Sequence, residues 1–172
     1  HELVLVAAGK GDIGALFERD PRHSPYDRPQ RTLVLCYFAG ASNKEGYGVS
    51  FNVVPGVGEY FVMPGLTTTG TCDMGLLEAI PGGPMDYWDD IESPAQHLEK
   101  FKEALNQFFP WEHGYVRDKG LTDDLGVAVG RLVPAVRKPV GTLPSGSHVM
   151  GLGDVVMLND PLTGQGSNHA AK

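Results

Sequence analysis

The chain reads as an α+β protein, a mostly antiparallel sheet of about five or more strands with one main covering helix. Three observations predict this. Apolar runs of strand length recur between residues 31 and 80, separated by turns rich in Gly and Pro. One segment, 93–108, combines helical spacing with caps at its ends. The composition is that of a globular domain, 41% hydrophobic and 20% charged, and its 23 Gly and 13 Pro imply frequent turns. At 172 residues the chain is most simply a single domain, 1–172, with a core of its own.

The elements follow in order. Residues 2–8 form an almost wholly apolar run that reads as a buried strand. Gly9, Gly11 and Gly14 then make a literal G-x-G-x-x-G. The helix this pattern should open would be stopped by Pro21, and no βαβ unit follows, so it reads as a turn leaving a strand. Residues 20–30 are a polar connector with Pro21, Pro25 and Pro29. Residues 31–39 read as a strand. Residues 47–54 alternate, with Val49, Phe51 and Val53 on one face and Ser50 and Asn52 on the other. After the turn at 55–58, residues 59–63 return as a hairpin arm, and 67–72 and 74–80 read as two more strands. Ser93, Pro94 and Gln96 supply an N-cap, a first-turn proline and a capping-box partner. Leu98, Phe101, Leu105 and Phe108 then form one apolar stripe, which Pro110 closes. Residues 111–120 read as a polar connector, 125–133 as a short apolar segment, and 148–152 as a last strand.

Charge and cysteine usage exclude several functions. The net charge is −7 with no Lys/Arg cluster, which disfavours nucleic acid and anionic membranes as partners. No apolar run reaches transmembrane length and no signal peptide is visible. Cys36 and Cys72 are far apart, as expected of buried free thiols in a reducing cytoplasm. The six His show no metal-ligand spacing, so no metal site is expected.

The chemistry concentrates at 151–171. A strand ends in Gly153-Asp154, a loop with Asp160-Pro161 follows, and Gly164, Gly166, Ser167 and Asn168 lead into a small-residue helix. A Gly-rich strand-to-helix turn lets backbone N–H groups approach an anion, and Asp154 is placed to accept from a ribose or ribityl hydroxyl. This is chemistry for a nucleotide-like cofactor.

The ordered set of Gly-Asp, Asp-Pro and Gly-x-Gly-x-Asn resembles the second flavin motif of FAD-dependent aromatic hydroxylases. Together with the opening run 3–10 and the phrase Ser24-Pro25-Tyr26-Asp27-Arg28-Pro29-Gln30-Arg31, it resembles the oxygenase component of the two-component styrene monooxygenase family. The resemblance implies a substrate-binding domain at about 31–140. It also implies that 1–20 and 147–172 are terminal pieces of a split, Rossmann-like FAD-binding domain. It implies reduced FAD supplied by a separate NAD(P)H-flavin reductase. Oxygen would add at flavin C4a, and the hydroperoxide would epoxidise or hydroxylate a small aromatic or alkene of styrene or indole type. No catalytic acid or nucleophile is demanded, and a homodimer is left open.

Carried over by residue, Gly9, Gly153, Asp154, Pro161, Gly164, Gly166, Ser167 and Asn168 would bind the cofactor. Leu158 and Asn159 would lie near the flavin ring, where Asn159 is more polar than an apolar alkene calls for. Phe51 and Val53 are the expected pocket lining, with packing under the helix the competing reading. The chain starts without Met in a strand-like run and stops in a helical turn, so it reads as a fragment of a longer protein, without the family's first βαβ unit. It is therefore expected to be inactive and to lack FAD alone. A single-component hydroxylase, a halogenase and a non-catalytic module for a small apolar ligand remain alternatives.

Overall fold

A computed structural model describes residues 3–9, 11–40 and 48–171. The strands are β1 (Leu5–Val6), β2 (Thr32–Ala39), β3 (Ser50–Val54), β4 (Gly58–Thr67) and β5 (Gly70–Ala79). After the helices α1 (Pro94–Phe108) and α2 (Pro110–Val116) come β6 (Val127–Arg131), β7 (Ala135–Val136), β8 (Val140–Thr142), β9 (His148–Gly151) and β10 (Met157–Leu158). Helix α3 (Gly166–Ala170) ends the series. The chain divides into two compact units, one of residues 31–131 and one of residues 1–30 with 132–172.

The unit of residues 31–131 is an antiparallel sheet in the order β3-β4-β5-β2-β6. Strand alternation sends Val34, Cys36 and Phe38 of β2, Tyr60 and Val62 of β4, and Leu77 of β5 into one buried cluster with Leu98, Phe101, Ala104 and Leu105 of α1. Phe101 is the hub, edge-on to Phe38 at 5.5 Å and to Tyr60 at 6.2 Å between ring centroids. Gly75 lies beneath it. A Cβ there would meet the Phe38 ring at 2.6 Å and the Phe101 ring at 3.2 Å, so only glycine lets the rings reach the sheet.

Helix α1 forms where its signals predict. Ser93 Oγ accepts from Gln96 N at 3.2 Å. The Gln96 side chain reaches back one residue further than a capping box, accepting from Glu92 N at 2.8 Å. Three local expectations are corrected. The runs 67–72 and 74–80 are not two strands. Gly70–Ala79 is one strand paired along its length with β4, and Thr68-Thr69 form the turn. Residues 111–120 are not all connector. Pro110 ends α1 and also occupies the first turn of α2, where its missing N–H costs nothing. The run at 2–8 is not a buried strand either, for only Leu5–Val6 pair, and Leu3, Val4 and Leu5 are exposed. Glu2 and Tyr47, expected in strands, and the run at 41–46 lie outside the described residues.

The unit of residues 1–30 and 132–172 contains the sheet β1-β9-β8, with β1 parallel to β9 and β8 antiparallel to β9. β7 and β10 form a separate antiparallel pair. Its core is Phe17, Val149 and Val155. Gly151 makes room for it, since a Cβ there would meet Phe17 at 2.9 Å and Val156 at 2.4 Å. Asp12–Leu16 form a 3-10 turn, so the Gly9–Gly14 pattern opens no α-helix.

Candidate functional site

In the unit of residues 1–30 and 132–172, parallel pairing sets Leu5 beside Met150 and Val6 beside Gly151. Leu152 N continues the ladder by donating to Val6 O at 2.9 Å. Both strands then leave through left-handed glycines, Gly9 at φ 66° and Gly153 at φ 65°. Their exits open a cleft of about 440 Å³ lined by Ala7, Gly9, Leu152, Gly153, Asp154, Gly166, Ser167 and Ala170. Small residues dominate its wall, and a Cβ on Gly153 would already press on Ala170 at 3.3 Å. Among the described residues, Asp154 is the one ionisable side chain in that lining, and a Cβ on Gly166 would stand 3.8 Å from its Oδ1.

Five of the eight expected cofactor residues, Gly9, Gly153, Asp154, Gly166 and Ser167, therefore share one cleft. Pro161, Gly164 and Asn168 are not in its lining. Pro161 starts a 3-10 turn capped by Asp160, whose Oδ1 accepts from Leu162 N at 3.1 Å. Gly164 ends that turn at φ 60°. Asn168 donates to Gln165 Oε1 at 2.9 Å. Leu158 closes β10, and Asn159 follows it with its side chain held by His169. Ala7, Leu152, Ala170 and His169 were not anticipated. The available signal was the smallness of Ala7 and Ala170 beside glycines.

Residues 24–30 of the phrase belong to the same unit, and Arg31 opens the other. Ser24 Oγ donates to Val136 O at 2.9 Å and accepts from Val136 N at 2.9 Å. Arg19 donates to the Tyr26 carbonyl. Pro25, Tyr26, Asp27, Arg28 and Gln30 line a second surface cleft of about 500 Å³.

In the unit of residues 31–131, Phe51 and Val53 lie on the sheet face away from α1 and are half exposed, at 52% and 51%. They do not pack under the helix, because the register of β3 turns Ser50 and Asn52 that way instead. Asn52 donates to Glu112 Oε1 at 3.3 Å and accepts from Trp111 Nε1 at 2.7 Å. Phe51 stacks on Phe61 with centroids 4.4 Å apart. Phe51, Phe61, Leu76, Leu35 and Ala128 stand in register as one row across all five strands. The next row places Glu59 opposite Glu78, both buried, with Arg31 Nε donating to Glu59 Oε2 at 2.9 Å. Phe61 was legible as the hairpin partner of Phe51; the carboxylate pair was not, because acids in a strand read as a solvated edge.

Electrostatics exclude some chemistry here. Burial pushes the Cys36 thiol far up, which disfavours its reactive thiolate form. Burial, reinforced by Glu112 and Asp73, does the same to the Tyr60 phenol. Both cysteines are free and buried. Among the described residues no group of three or more His, Cys, Asp or Glu is arranged to hold a metal ion, and no helix is long and apolar enough to cross a membrane.

A family described as the styrene monooxygenase A putative substrate binding domain matches residues 9–114. The styrene monooxygenase StyA of Pseudomonas fluorescens is 31% identical over 180 residues, covering 99% of this chain and 43% of that protein. The StyA of a Pseudomonas sp is 30% identical with the same coverage. The chain thus spans less than half the length of these relatives. Among solved structures, a flavoprotein/dehydrogenase from Cytophaga hutchinsonii superposes with a TM-score of 0.64 at 14% identity, over 98% of this chain and 37% of that one. The flavin-dependent brominase Bmp2 gives 0.55 at 13%, over 98% and 39%. At such identities these two establish the fold.

Proposed function

The chain belongs to the styrene monooxygenase A substrate-binding-domain family, and from that premise we propose that it serves an FAD-dependent monooxygenase acting on a small aromatic or alkene. The observation that carries this reading is the cleft where Gly9, Gly153 and Gly166 meet Asp154. Its residues fit a flavin's ribityl and phosphate portion. The glycines leave backbone N–H groups approachable, and a lone carboxylate suits a hydroxyl better than an anion.

When bound, reduced FAD supplies the activation of molecular oxygen and the transfer of one oxygen atom to the substrate. The chain's own part is placement. Asp154 accepts from a ribityl hydroxyl, and Gly153 lets that part of the cofactor approach the backbone. Pro161, Gly164 and Asn168 would shape the adjoining turn, and Leu158 and Asn159 would be the residues on the flavin-ring side. On the sheet of residues 31–131, Phe51 and Val53 present an aromatic and a branched aliphatic surface to the substrate and keep water from it. A separate NAD(P)H-flavin reductase supplies the reduced cofactor.

The test uses the full-length protein with reduced FAD, oxygen and a panel of styrene and indole analogues. Oxygenated product is expected, and its absence across the panel overturns the reading. Asp154→Ala should weaken FAD binding about tenfold, the cost of one hydrogen bond to a charged acceptor, while leaving the thermal midpoint in place. FAD affinity unchanged by that substitution would remove Asp154 from the site.

A further inference from the structure

The turn after β10 carries a contact that the flavin reading does not use. Asn159 Nδ2 lies 2.8 Å from His169 Nδ1. Asn159 follows β10, and His169 belongs to α3. Between them run the 3-10 turn Pro161–Thr163, the left-handed Gly164 and Gln165. The hydrogen bond therefore joins the two ends of the turn. An amide nitrogen can only donate, so Nδ1 must accept, and the ring proton of neutral His169 sits on Nε2.

We propose that this pair is a proton-sensitive clasp, in which neutral His169 is the positioning residue for the turn at 160–165 and its protonation releases that turn. The chemistry follows from the ring. Imidazolium carries hydrogen on both nitrogens, so Nδ1 meets the Asn159 amide as donor against donor.

Helix α3 packs on the 3-10 turn Gly153–Val155 and on β10. The first brings Asp154; β10 brings no charge; the connecting turn brings Asp160, already accepting from Leu162 N. Neither carboxylate replaces Nδ1 as the acceptor for Asn159. The consequence reaches the cleft because Gly166 and Ser167, on the same helical turns, line it. The inference rests on the flavin reading only for that last consequence.

The experiment compares the 172-residue chain with His169→Leu and His169→Gln at about pH 8 and about pH 5.5. Long-range proton–nitrogen NMR should show the Nε2–H form of His169 at the higher pH. Amide exchange of residues 164–168, corrected for intrinsic rate, should be about fivefold faster at the lower pH, the scale of one net hydrogen bond. The leucine variant should be fast at both. The glutamine variant, which accepts without titrating, should be slow at both. An Nδ1–H form, or exchange unaffected by the leucine variant, overturns the clasp. FAD titration of the full-length variants separates the two readings. If the exchange pattern holds and FAD affinity ignores it, the clasp stands and the flavin role of this turn falls.

Discussion

The two units stabilise themselves by different means. Among the described residues, the unit of residues 31–131 gathers fifteen buried side chains into one cluster around Phe101. The unit of residues 1–30 and 132–172 gathers three, around Phe17. Strands β4 and β5 are ten residues long, whereas β1, β7 and β10 have two each. The polar ties differ in the same direction. Lys119–Asp73 is a buried pair at 2.6 Å, with side chains 17% and 6% exposed. Lys138–Glu18 is equally short but 57% and 69% exposed. The lesson is a division of labour: one unit is a self-sufficient scaffold, and the other keeps its backbone exits open and relies on local turns to shape a cleft.

The strongest way to break this comparison is at the two hubs. Phe101→Ala should cost about 3–5 kcal/mol and lower the denaturant midpoint of the whole sheet of residues 31–131. Phe17→Ala removes the same ring from the smaller core and should raise amide exchange in residues 3–20 and 135–158 while β4 and β5 stay protected. Equal loss of protection in β4 and β5 from both variants would erase the distinction.

The ion pairs sharpen it next. Lys119→Met leaves Asp73 buried without its cation and also removes the donor to Gly40 O. A loss of about 3 kcal/mol is expected, partly recovered by adding Asp73→Asn. Lys138→Met should cost under ~1 kcal/mol, because water screens that pair. Thermal denaturation of the variants reads both.

The smallest expected effect is in acid. His97 on α1 is buried beside Trp88, with no hydrogen-bond partner for Nε2 among the described residues, and burial holds its ring below the usual imidazole range despite a compensating bond to the Leu35 backbone. The unfolded chain therefore takes up a proton more readily than the folded one. Stability is full above about pH 6.5, the unfolded value, and declines as pH falls through the lower folded value. His97→Gln should flatten that slope in urea titrations from about pH 7 to about pH 5; an unchanged slope would assign it to other groups.

What was legible follows from how local each signal is. Ser93, Pro94 and Gln96 specify the start of α1 within four residues, and the hairpin pattern of 50–63 specifies which residues pair. Pro110 was read as a stop alone because one residue can end one helix and begin another. Asp73 looked like a break in a strand because its cation, Lys119, lies forty-six residues away. The candidate site was half legible for the same reason. The Gly153–Ser167 side is a local string of turns, so its residues could be named in order. Which of them face the cleft depends on Gly9, and that neighbour is set by the parallel pairing of β1 with β9. The link between Asn159 and His169 has no periodicity to betray it.

That pairing of β1 with β9 also fixes an order of events during synthesis. Val6 finds its partner only after Gly151 has left the ribosome, whereas every strand and helix of the sheet of residues 31–131 lies on one uninterrupted stretch made earlier. The scaffold can therefore fold while the chain is still growing. The cleft-bearing unit must wait, and the loop it closes is shortened in effect because most of its length is already compact. Of the two units, the open one completes its pairing second.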